Sequence, residues 1–269
     1  MCRHLAYLGP PRTLAQLVLQ PPHSLLHQSY APLDMRGGGR VNADGFGVGW
    51  FVPGMDEPLR YRRSCPLWTD AGFTSLAAAT TSGAVLAAVR SATAGTPVVE
   101  TACAPFAGSG STARWLFSHN GRLPGWPDSA VALAAGLDVA DLLTMEAPVD
   151  SALLWAVLRH RLAAGDDPAG AVAEVVRAAA DAVPGARLNL LLTDGTVVVA
   201  TTWWHALSVR AADGAVTVSS EPTDDGPGWR AVPDRHLVVA TPSTVDIRPL
   251  EAALAADQVR ASRKTLEQS

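Results

Sequence analysis

The alternation of apolar and polar positions divides the chain into three parts. In the first part, which extends to about residue 125, short apolar runs alternate with loops rich in glycine and proline. Runs of β-branched and aromatic residues predict strands at 46–52, 84–90 and 113–119. The stretch 69–83, between the first two of these strands, predicts a helix that starts near Thr69 and ends at Gly83.

The second part has helical periodicity. Apolar residues spaced three and four positions apart predict helices over 150–165 and 167–185. The first of these begins at an aspartate and ends at a glycine. The second has a proline in its first turn, where no backbone N–H is needed, and ends in Pro-Gly.

The third part predicts paired strands. Apolar runs flank Asp194-Gly195 and again Asp213-Gly214, and such dipeptides favour the tight turns of β-hairpins. Further strands are predicted at 235–242 and 245–250. Strands, then helices, then a meander of strands indicate an α+β fold in which helices cover antiparallel sheets. We expect a single domain over residues 1–269.

Composition and charge narrow the class of protein. The chain has 269 residues, 17% of them charged, and a net charge of -4 without any block of Lys or Arg, so nucleic acid is not an expected partner. No apolar run approaches the roughly 18 residues that would predict a membrane span. The N-terminus does not have the pattern of a signal peptide. We therefore expect a cytoplasmic protein with no membrane partner.

The cysteines and histidines do not form a metal-binding pattern. Cys2, Cys65 and Cys103 are too few and too scattered for a disulfide framework or a CxxC site. The seven histidines lack ligand spacing, so we predict no metal and no other cofactor. Cys2 is notable because it follows Met1 directly. If Met1 is removed, Cys2 carries both a thiol and a free α-amine on neighbouring carbons, and an α-amine, with a pKa of about 7.7–8.0, can take the thiol proton. If Met1 stays, Cys2 is an ordinary strand thiol.

Three other positions are candidates for a catalytic or binding role, and each also has a purely structural interpretation. Asn120-Gly121 follows a predicted strand and could stabilise an oxyanion, although Asn-Gly is also a common turn. Arg90 ends a predicted strand and could bind a carboxylate, or lie at the surface. Asp150 precedes a helix and could cap it while binding an ammonium group. The glycine-rich stretch 42–50 leads into a strand rather than a helix, which excludes a nucleotide-binding loop.

Together these motifs resemble the class II, or N-terminal nucleophile, glutamine amidotransferases. The shared motifs occur in the family's order and cover most of the chain: Cys2 after Met1, NADGFGVGW at 42–50, VRSAT at 89–93, HNG at 119–121 and DS at 150–151. The resemblance implies the N-terminal nucleophile hydrolase fold, a four-layer αββα sandwich with antiparallel sheets.

The resemblance also implies roles for individual residues. Cys2, exposed by removal of Met1, would be the nucleophile and its own amine the base, while Asn120 and Gly121 would form the oxyanion hole. At the other end of a glutamyl group, Arg90 would bind the α-carboxylate, with help from Thr93, and Asp150 would bind the α-ammonium. Because one Arg and one Asp then neutralise both charges of that group, such a site selects γ-glutamyl compounds.

A departure from the family pattern indicates which branch of the family the chain resembles. Many members have a histidine after the Thr of the arginine motif, but Ala94 stands here, and no synthetase, isomerase or phosphoribosyl domain follows. The stretches 1–9, 25–32 and 42–51 are most similar to the γ-glutamyl hydrolases of ergothioneine biosynthesis. That branch implies a small-molecule substrate, γ-glutamyl-hercynylcysteine sulfoxide, cleaved through a Cys2 thioester.

Two other interpretations stay open. The chain could be a glutaminase subunit that supplies ammonia to a separate synthetase, or a relative that binds γ-glutamyl compounds without cleaving them. A homo-oligomer is compatible with each of these functions. The trimethylammonium of the implied leaving group favours aromatic walls, but the sequence does not choose among the candidates Trp50, Trp68, Trp115, Trp126, Trp203, Trp204 and Trp229.

Overall fold

The computed structural model describes residues 2–36 and 41–253. In these ranges the strands are β1 (Arg3–Thr13), β2 (Phe46–Trp50), β3 (Leu59–Arg63), β4 (Thr81–Val89), β5 (Phe106–Ala107), β6 (Leu116–Arg122), β7 (Arg187–Thr193), β8 (Val198–Thr201), β9 (Ser208–Ala212), β10 (Ala215–Ser219), β11 (Arg230–Ala231), β12 (His236–Ala240) and β13 (Val245–Pro249). The α-helices are α1 (Leu14–Val18), α2 (Leu25–Gln28), α3 (Ala71–Ala79), α4 (Val131–Ala134), α5 (Val139–Leu143), α6 (Asp150–Ala163) and α7 (Pro168–Ala182). Short 3-10 turns occupy Leu67–Thr69, Glu100–Ala102, Gly110–Thr112 and Asp128–Ala130.

The strands form two antiparallel sheets that pack face to face. The first has the order β11-β9-β10-β1-β4-β2-β3 and the second β13-β12-β8-β7-β6-β5. Apolar side chains of both sheets meet between them, Leu8 and Leu86 from the first and Leu116 and Leu191 from the second. Helices α1 to α3 pack on the outer face of the first sheet, and α4, α6 and α7 on that of the second. The predicted αββα sandwich is confirmed.

Alternation along each strand decides which side chains reach the space between the sheets. On β1, Leu5 and Tyr7 pack towards the helices, whereas Ala6 and Leu8 pack against the second sheet. His4 belongs to the second set, because its Nδ1 lies 3.2 Å from Oγ of Ser118 on β6. Since side chains on a strand point to the same face at every second residue, the start of β1 and the middle of β6 present polar groups to each other.

Strand β1 was not among the predicted strands. Its first six residues are buried, so both faces are covered and the run lacks the apolar–polar alternation of a half-exposed strand. Pro10 and Pro11 also argue against a strand, because proline has no backbone N–H to donate. In the structure they lie at the irregularity in the β1–β4 pairing between Leu8 and Arg12, where a missing N–H is tolerated. The predicted hairpins at Asp194-Gly195 and Asp213-Gly214 are confirmed as β7–β8 and β9–β10.

Two predicted boundaries were wrong. The helix predicted over 69–83 is confined to Ala71–Ala79, where Asp70 caps it by accepting a hydrogen bond from the Phe73 N–H at 2.8 Å. Gly83 does not end this helix but lies inside β4. The strand predicted at 113–119 extends from Leu116 to Arg122, so Asn120-Gly121 lies within a strand instead of a turn. Pairing with β7 through Arg122 extends the strand beyond its apolar run.

The close approach of β6 and β7 explains why residue 121 is a glycine. A Cβ at this position would collide with the carbonyl oxygen of Arg187 and with Nε2 of His119. Both atoms are held in place by the hydrogen bond between them, which measures 2.8 Å. A larger residue at position 121 therefore requires the two strands to separate.

No helix in the described ranges is long and apolar enough to cross a membrane.

We expect Gly121→Ala to lower the free energy of unfolding by about 1–3 kcal/mol, because an added methyl group overpacks this strand pair. Thermal or denaturant unfolding measures the change. Gly136→Ala is the matched control, since an added Cβ there meets no heavy atom within 4 Å. Equal stability of the two variants would contradict the explanation given for Gly121.

Candidate active site

Cys2 lies at the open end of the central strand pair of the first sheet. Arg3 is paired with Val89, the last residue of β4, so the chain that leaves β4 passes beside Cys2. The Sγ atom of Cys2 lies 3.8 Å from the carbonyl oxygen of Ser91. The half-buried Cys2 lines a small cavity together with Ser118 and His119 of β6, in the second sheet.

Arg90 immediately follows β4 and is buried, with 9% of its surface exposed. Its backbone N–H donates to the Gly45 carbonyl at 2.7 Å, which fixes the position of the residue. Its Nη2 donates to Oγ1 of Thr96 at 3.3 Å, while Nη1 is buried without a hydrogen-bond partner in the structure. A buried cation with an unused donor is suited to bind a carboxylate.

The hydroxyl group that accepts a hydrogen bond from the Arg90 guanidinium belongs to Thr96 and not to Thr93. The carbonyl oxygen of Thr93 accepts a hydrogen bond from Oγ1 of Thr96 at 2.7 Å, and this turn directs the Thr96 hydroxyl towards the guanidinium. Thr96 is therefore a residue that the sequence analysis missed. Thr93 and Thr96 also line a cavity of about 510 Å³.

Asn120 is fully buried, and neither its Nδ2 nor its Oδ1 has a hydrogen-bond partner in the structure. A buried amide without a partner costs roughly 1–3 kcal/mol, so its retention points to a ligand that supplies the missing contact. The pairing of Asn120 with Asn189 places it on the face of β6 that also carries Ser118, towards the first sheet.

The backbone N–H of Gly121 points away from β7. The opposite residue, Leu188, donates its own N–H to the Trp203 carbonyl at 3.1 Å, on the side remote from β6. In an antiparallel pair, the N–H groups of two facing residues either both donate across the pair or both point away from it. The Gly121 N–H therefore points outward, like that of Leu188. On that side β5 pairs only with Leu116 and Phe117, so it does not extend as far as Gly121. The Asn120 amide and the Gly121 N–H are thus two donors on adjacent residues at one strand end.

Asp150 is the first residue of α6. The N-cap position is Val149, whose side chain makes no capping hydrogen bond. Asp150 is therefore not the N-cap of this helix, in contrast to the plainer interpretation of the sequence. Its carboxylate instead accepts hydrogen bonds from the Leu123 N–H at 2.9 Å and the Ser151 N–H at 2.8 Å. These two amides orient a buried carboxylate at a helix N-terminus, where the helix dipole favours negative charge.

Burial lowers the pKa of each of two histidines near the site, His119 and His4. Burial lowers the pKa of His119, against the opposing effect of Asp150, and both ring nitrogens are engaged, Nδ1 with Ser151 Oγ at 3.0 Å and Nε2 with the Arg187 carbonyl. Burial, with the fields of His119 and His205, lowers the pKa of His4 to about 3. Neither ring is suited to accept a proton from a thiol at neutral pH.

A buried ion pair behind Cys2 was not foreseen. Nη2 of Arg3 lies 3.2 Å from Oε1 of Glu221, and the two side chains are 1% and 3% exposed. Arg3 also donates to the Asp34 carbonyl. Glu221 accepts further hydrogen bonds from the N–H groups of Leu33 at 2.9 Å and Asp34 at 3.0 Å, and its Oε2 lies 2.6 Å from Nε2 of His23. Through these hydrogen bonds the ion pair holds segment 31–36 against Arg3, the residue that follows Cys2.

No local signal in the sequence reveals this pair, because its members lie at opposite ends of the chain. Burial lowers the pKa of Arg3, and Glu221 opposes that shift. Removing one partner would leave the other charge buried and uncompensated, which is strongly destabilising.

Within the described ranges, Asp138, Asp141 and His160 form a separate cluster of three residues whose side chains can bind metal ions. Asp141 already pairs with Arg159 at 3.0 Å and with His160 at 3.1 Å. His160 lies ten positions along α6 from Asp150, about 15 Å at the rise of an α-helix. The cluster is thus distinct from the group around Cys2.

Comparisons of sequence agree with the motifs. The family "Glutamine amidotransferases class-II" matches residues 22–213. A γ-glutamyl-hercynylcysteine sulfoxide hydrolase of Mycolicibacterium smegmatis is 46% identical over 253 residues, covering 93% of this chain and all of the relative. A protein of the same name from Mycobacterium tuberculosis H37Rv is 44% identical, over 94% of this chain and 98% of the relative.

Solved structures share the fold. A glutamine aminotransferase class-II domain protein from Silicibacter pomeroyi superposes with a TM-score of 0.67 at 22% identity, over 93% of this chain and 99% of that one. Glutamine phosphoribosylpyrophosphate amidotransferase from B. subtilis gives a TM-score of 0.67 at 14% identity, over 93% of this chain and 49% of the other. The extent of the family match and the identity to relatives over nearly their full length show that the chain belongs to the class II glutamine amidotransferases.

Proposed function

We propose that this protein hydrolyses a γ-glutamyl amide bond and releases glutamate, with γ-glutamyl-hercynylcysteine sulfoxide, the compound in the names of its relatives, as substrate. The observation that carries the proposal is the buried, partnerless amide of Asn120 on β6, the strand whose Ser118 and His119 line a small cavity together with Cys2. An amide kept free at this place is suited to an oxyanion that forms only during the reaction.

The charged groups fit the amino-acid end of a glutamyl group. Arg90 offers an unused donor for the α-carboxylate, and Asp150 offers an oriented carboxylate for the α-ammonium. Each protein charge then gains a partner of opposite sign, which offsets the cost of burying it. Thr93 and Thr96 lie at the carboxylate end and steady the Arg90 guanidinium.

The reaction begins once Met1 has been removed. The free α-amine of Cys2 takes the thiol proton, and Sγ attacks the γ-carbonyl carbon. The carbonyl oxygen becomes an oxyanion that accepts hydrogen bonds from the Asn120 amide and the Gly121 N–H. The C–N bond breaks as the ammonium of Cys2 returns its proton to the leaving amine, and a γ-glutamyl thioester remains. Water, deprotonated by the same amine, attacks the thioester and releases glutamate and the thiol.

The choice of the amine as base is supported by the other groups present. His4 has a pKa of about 3, and both nitrogens of His119 are occupied. An α-amine ordinarily has a pKa of about 7.7–8.0, close to the working pH of a cell, and it is attached to the same carbon that carries the thiol side chain.

We expect Cys2→Ala to reduce glutamate release by at least about a thousandfold, since no other nucleophile replaces the thiol. Binding of the γ-glutamyl substrate, measured by calorimetry, should persist because Arg90 and Asp150 are unchanged. Cys65→Ala is the matched control and should retain activity. Glutamate release by Cys2→Ala at the wild-type rate would contradict the mechanism.

Intact-protein mass spectrometry tests the same mechanism directly. The active chain should lack Met1, and rapid quenching during turnover should reveal one added glutamyl group on Cys2. An N-terminal extension that retains Met1 should block activity. Comparing glutamine with γ-glutamyl amides of larger amines then separates the hydrolase from an ammonia-supplying glutaminase, because rapid turnover of glutamine alone would favour the latter.

We expect Asp150→Asn to lower kcat/KM for γ-glutamyl amides by about ten- to a hundredfold, the loss of one charge-assisted contact. Glutaramate, the same amide without the α-ammonium group, should be cleaved equally slowly by wild type and variant. Asp56→Asn changes an exposed acid and is the matched control. A variant that still prefers the ammonium-bearing substrate as strongly as the wild type would exclude this role for Asp150.

A further inference from the structure

His119, the first residue of the HNG motif, has no role in the proposed reaction, yet it is buried, with 3% of its surface exposed. Its ring contacts two different elements of the fold. Nε2 lies 2.8 Å from the carbonyl oxygen of Arg187 on β7, and Nδ1 lies 3.0 Å from Oγ of Ser151 in the first turn of α6. The ring therefore links the second sheet to the helix that begins with Asp150.

The ring crosses the backbone of Gly121. Residues 119 and 121 share one face of β6, and a Cβ at residue 121 would collide with Nε2 of His119 and with the Arg187 carbonyl oxygen. The contact between His119 and Arg187 thus passes over the residue whose N–H is proposed for the oxyanion hole. At this point a side chain, in addition to the backbone pairing, holds β6 to β7.

The two contacts indicate where the ring carries hydrogen. A carbonyl oxygen only accepts hydrogen bonds, so Nε2 carries the hydrogen that is donated to Arg187. Burial lowers the pKa of His119, which favours the uncharged ring, although Asp150 opposes this shift. In an uncharged ring with hydrogen on Nε2, Nδ1 is an acceptor. The hydroxyl hydrogen of Ser151 then points at Nδ1 to make the 3.0 Å contact.

The same hydroxyl group has a second acceptor close by. Oγ of Ser151 lies 3.4 Å from Oδ1 of Asp150, which already accepts the Ser151 N–H at 2.8 Å. Oδ2 of Asp150 accepts the Leu123 N–H at 2.9 Å. A carboxylate has about four acceptor positions, so positions remain for a ligand. A hydroxyl hydrogen turned towards Asp150 would occupy one of them, and His119 offers that hydrogen a different acceptor.

We propose that His119 is a positioning residue with two functions, one at each ring nitrogen. Through Nδ1 it holds the Ser151 hydroxyl hydrogen away from Asp150, which leaves the carboxylate to the α-ammonium of the substrate. Through Nε2 it fixes the backbone at Gly121, and with it one donor of the oxyanion hole. This inference rests on the proposed function, because that function assigns the ammonium to Asp150 and the oxyanion to Gly121.

Two substitutions separate the functions of the two nitrogens. The amide group of asparagine reaches about as far from the backbone as Nδ1 of histidine, and that of glutamine about as far as Nε2. His119→Asn should therefore keep an acceptor for Ser151 and lose the contact with Arg187. His119→Gln should keep a donor for Arg187 and lose the acceptor for Ser151. The substrates to compare are γ-glutamyl-hercynylcysteine sulfoxide and its glutaryl analogue, which lacks only the α-ammonium group.

We expect His119→Gln to reduce the preference for the ammonium-bearing substrate, the ratio of the two kcat/KM values, by about five- to tenfold and chiefly through KM. Adding Ser151→Ala to this variant removes the competing hydroxyl group and should restore most of the preference. His119→Asn should keep the preference but lower kcat about tenfold on both substrates, because the oxyanion hole is less well fixed. His160→Gln, at an exposed histidine of α6, is the matched control and should match the wild type.

Equal losses on both substrates for His119→Gln, or no recovery when Ser151→Ala is added, would overturn the inference and leave γ-glutamyl hydrolysis intact. A wild type that cleaves neither compound would overturn the proposed function itself. NMR of protein labelled with ¹⁵N in its histidines tests the ring without turnover. At about pH 6.5, where an ordinary histidine is half protonated, His119 should be uncharged with hydrogen on Nε2. A charged ring, or hydrogen on Nδ1 alone, would also overturn the inference.

Discussion

The arrangement of the whole site depends on the pairing of β1 between β4 and β10. Chain termini are usually loose at a protein surface, but here the first residues enter the middle of a seven-stranded sheet and are buried on both faces. This pairing brings the end of β4, and with it Arg90, beside Cys2. The ion pair of Arg3 and Glu221 adds a second constraint, because it clamps segment 31–36 against the same strand. Cys2, the proposed nucleophile, therefore precedes a residue that is fixed both by strand pairing and by an ion pair.

Two polar groups of the site have incomplete hydrogen bonds. Asn120 has a buried amide without a partner, and Arg90, from the first sheet, has one unused donor. Such groups cost free energy in the unliganded protein, and a ligand that completes them recovers it. Oriented donors of this kind need no rearrangement when charge develops on a substrate, which is how fixed dipoles lower a reaction barrier. Asp150 differs, because two backbone amides already hold its carboxylate in position.

Prediction from sequence succeeded where the signal is local. Hairpins at Asp194-Gly195 and Asp213-Gly214 follow from turn chemistry, and α6 and α7 follow from helical spacing. It failed where tertiary contacts override local preference. Asn120-Gly121 has the composition of a turn, yet pairing with β7 keeps it in a strand. Asp150 has the composition of a helix cap, but its carboxylate bonds to the end of β6 instead.

The sequence by itself determined the types and order of most elements, the fold class and the family, because periodicity, turn dipeptides and short motifs act over a few neighbouring residues. Only the tertiary structure decided that Asn120 lacks a partner, that Arg3 pairs with Glu221 and that His119 links Arg187 to Ser151. Each of these facts concerns groups brought together by strand register and sheet packing. Register depends on the burial of whole faces, and no short stretch of the chain specifies it alone.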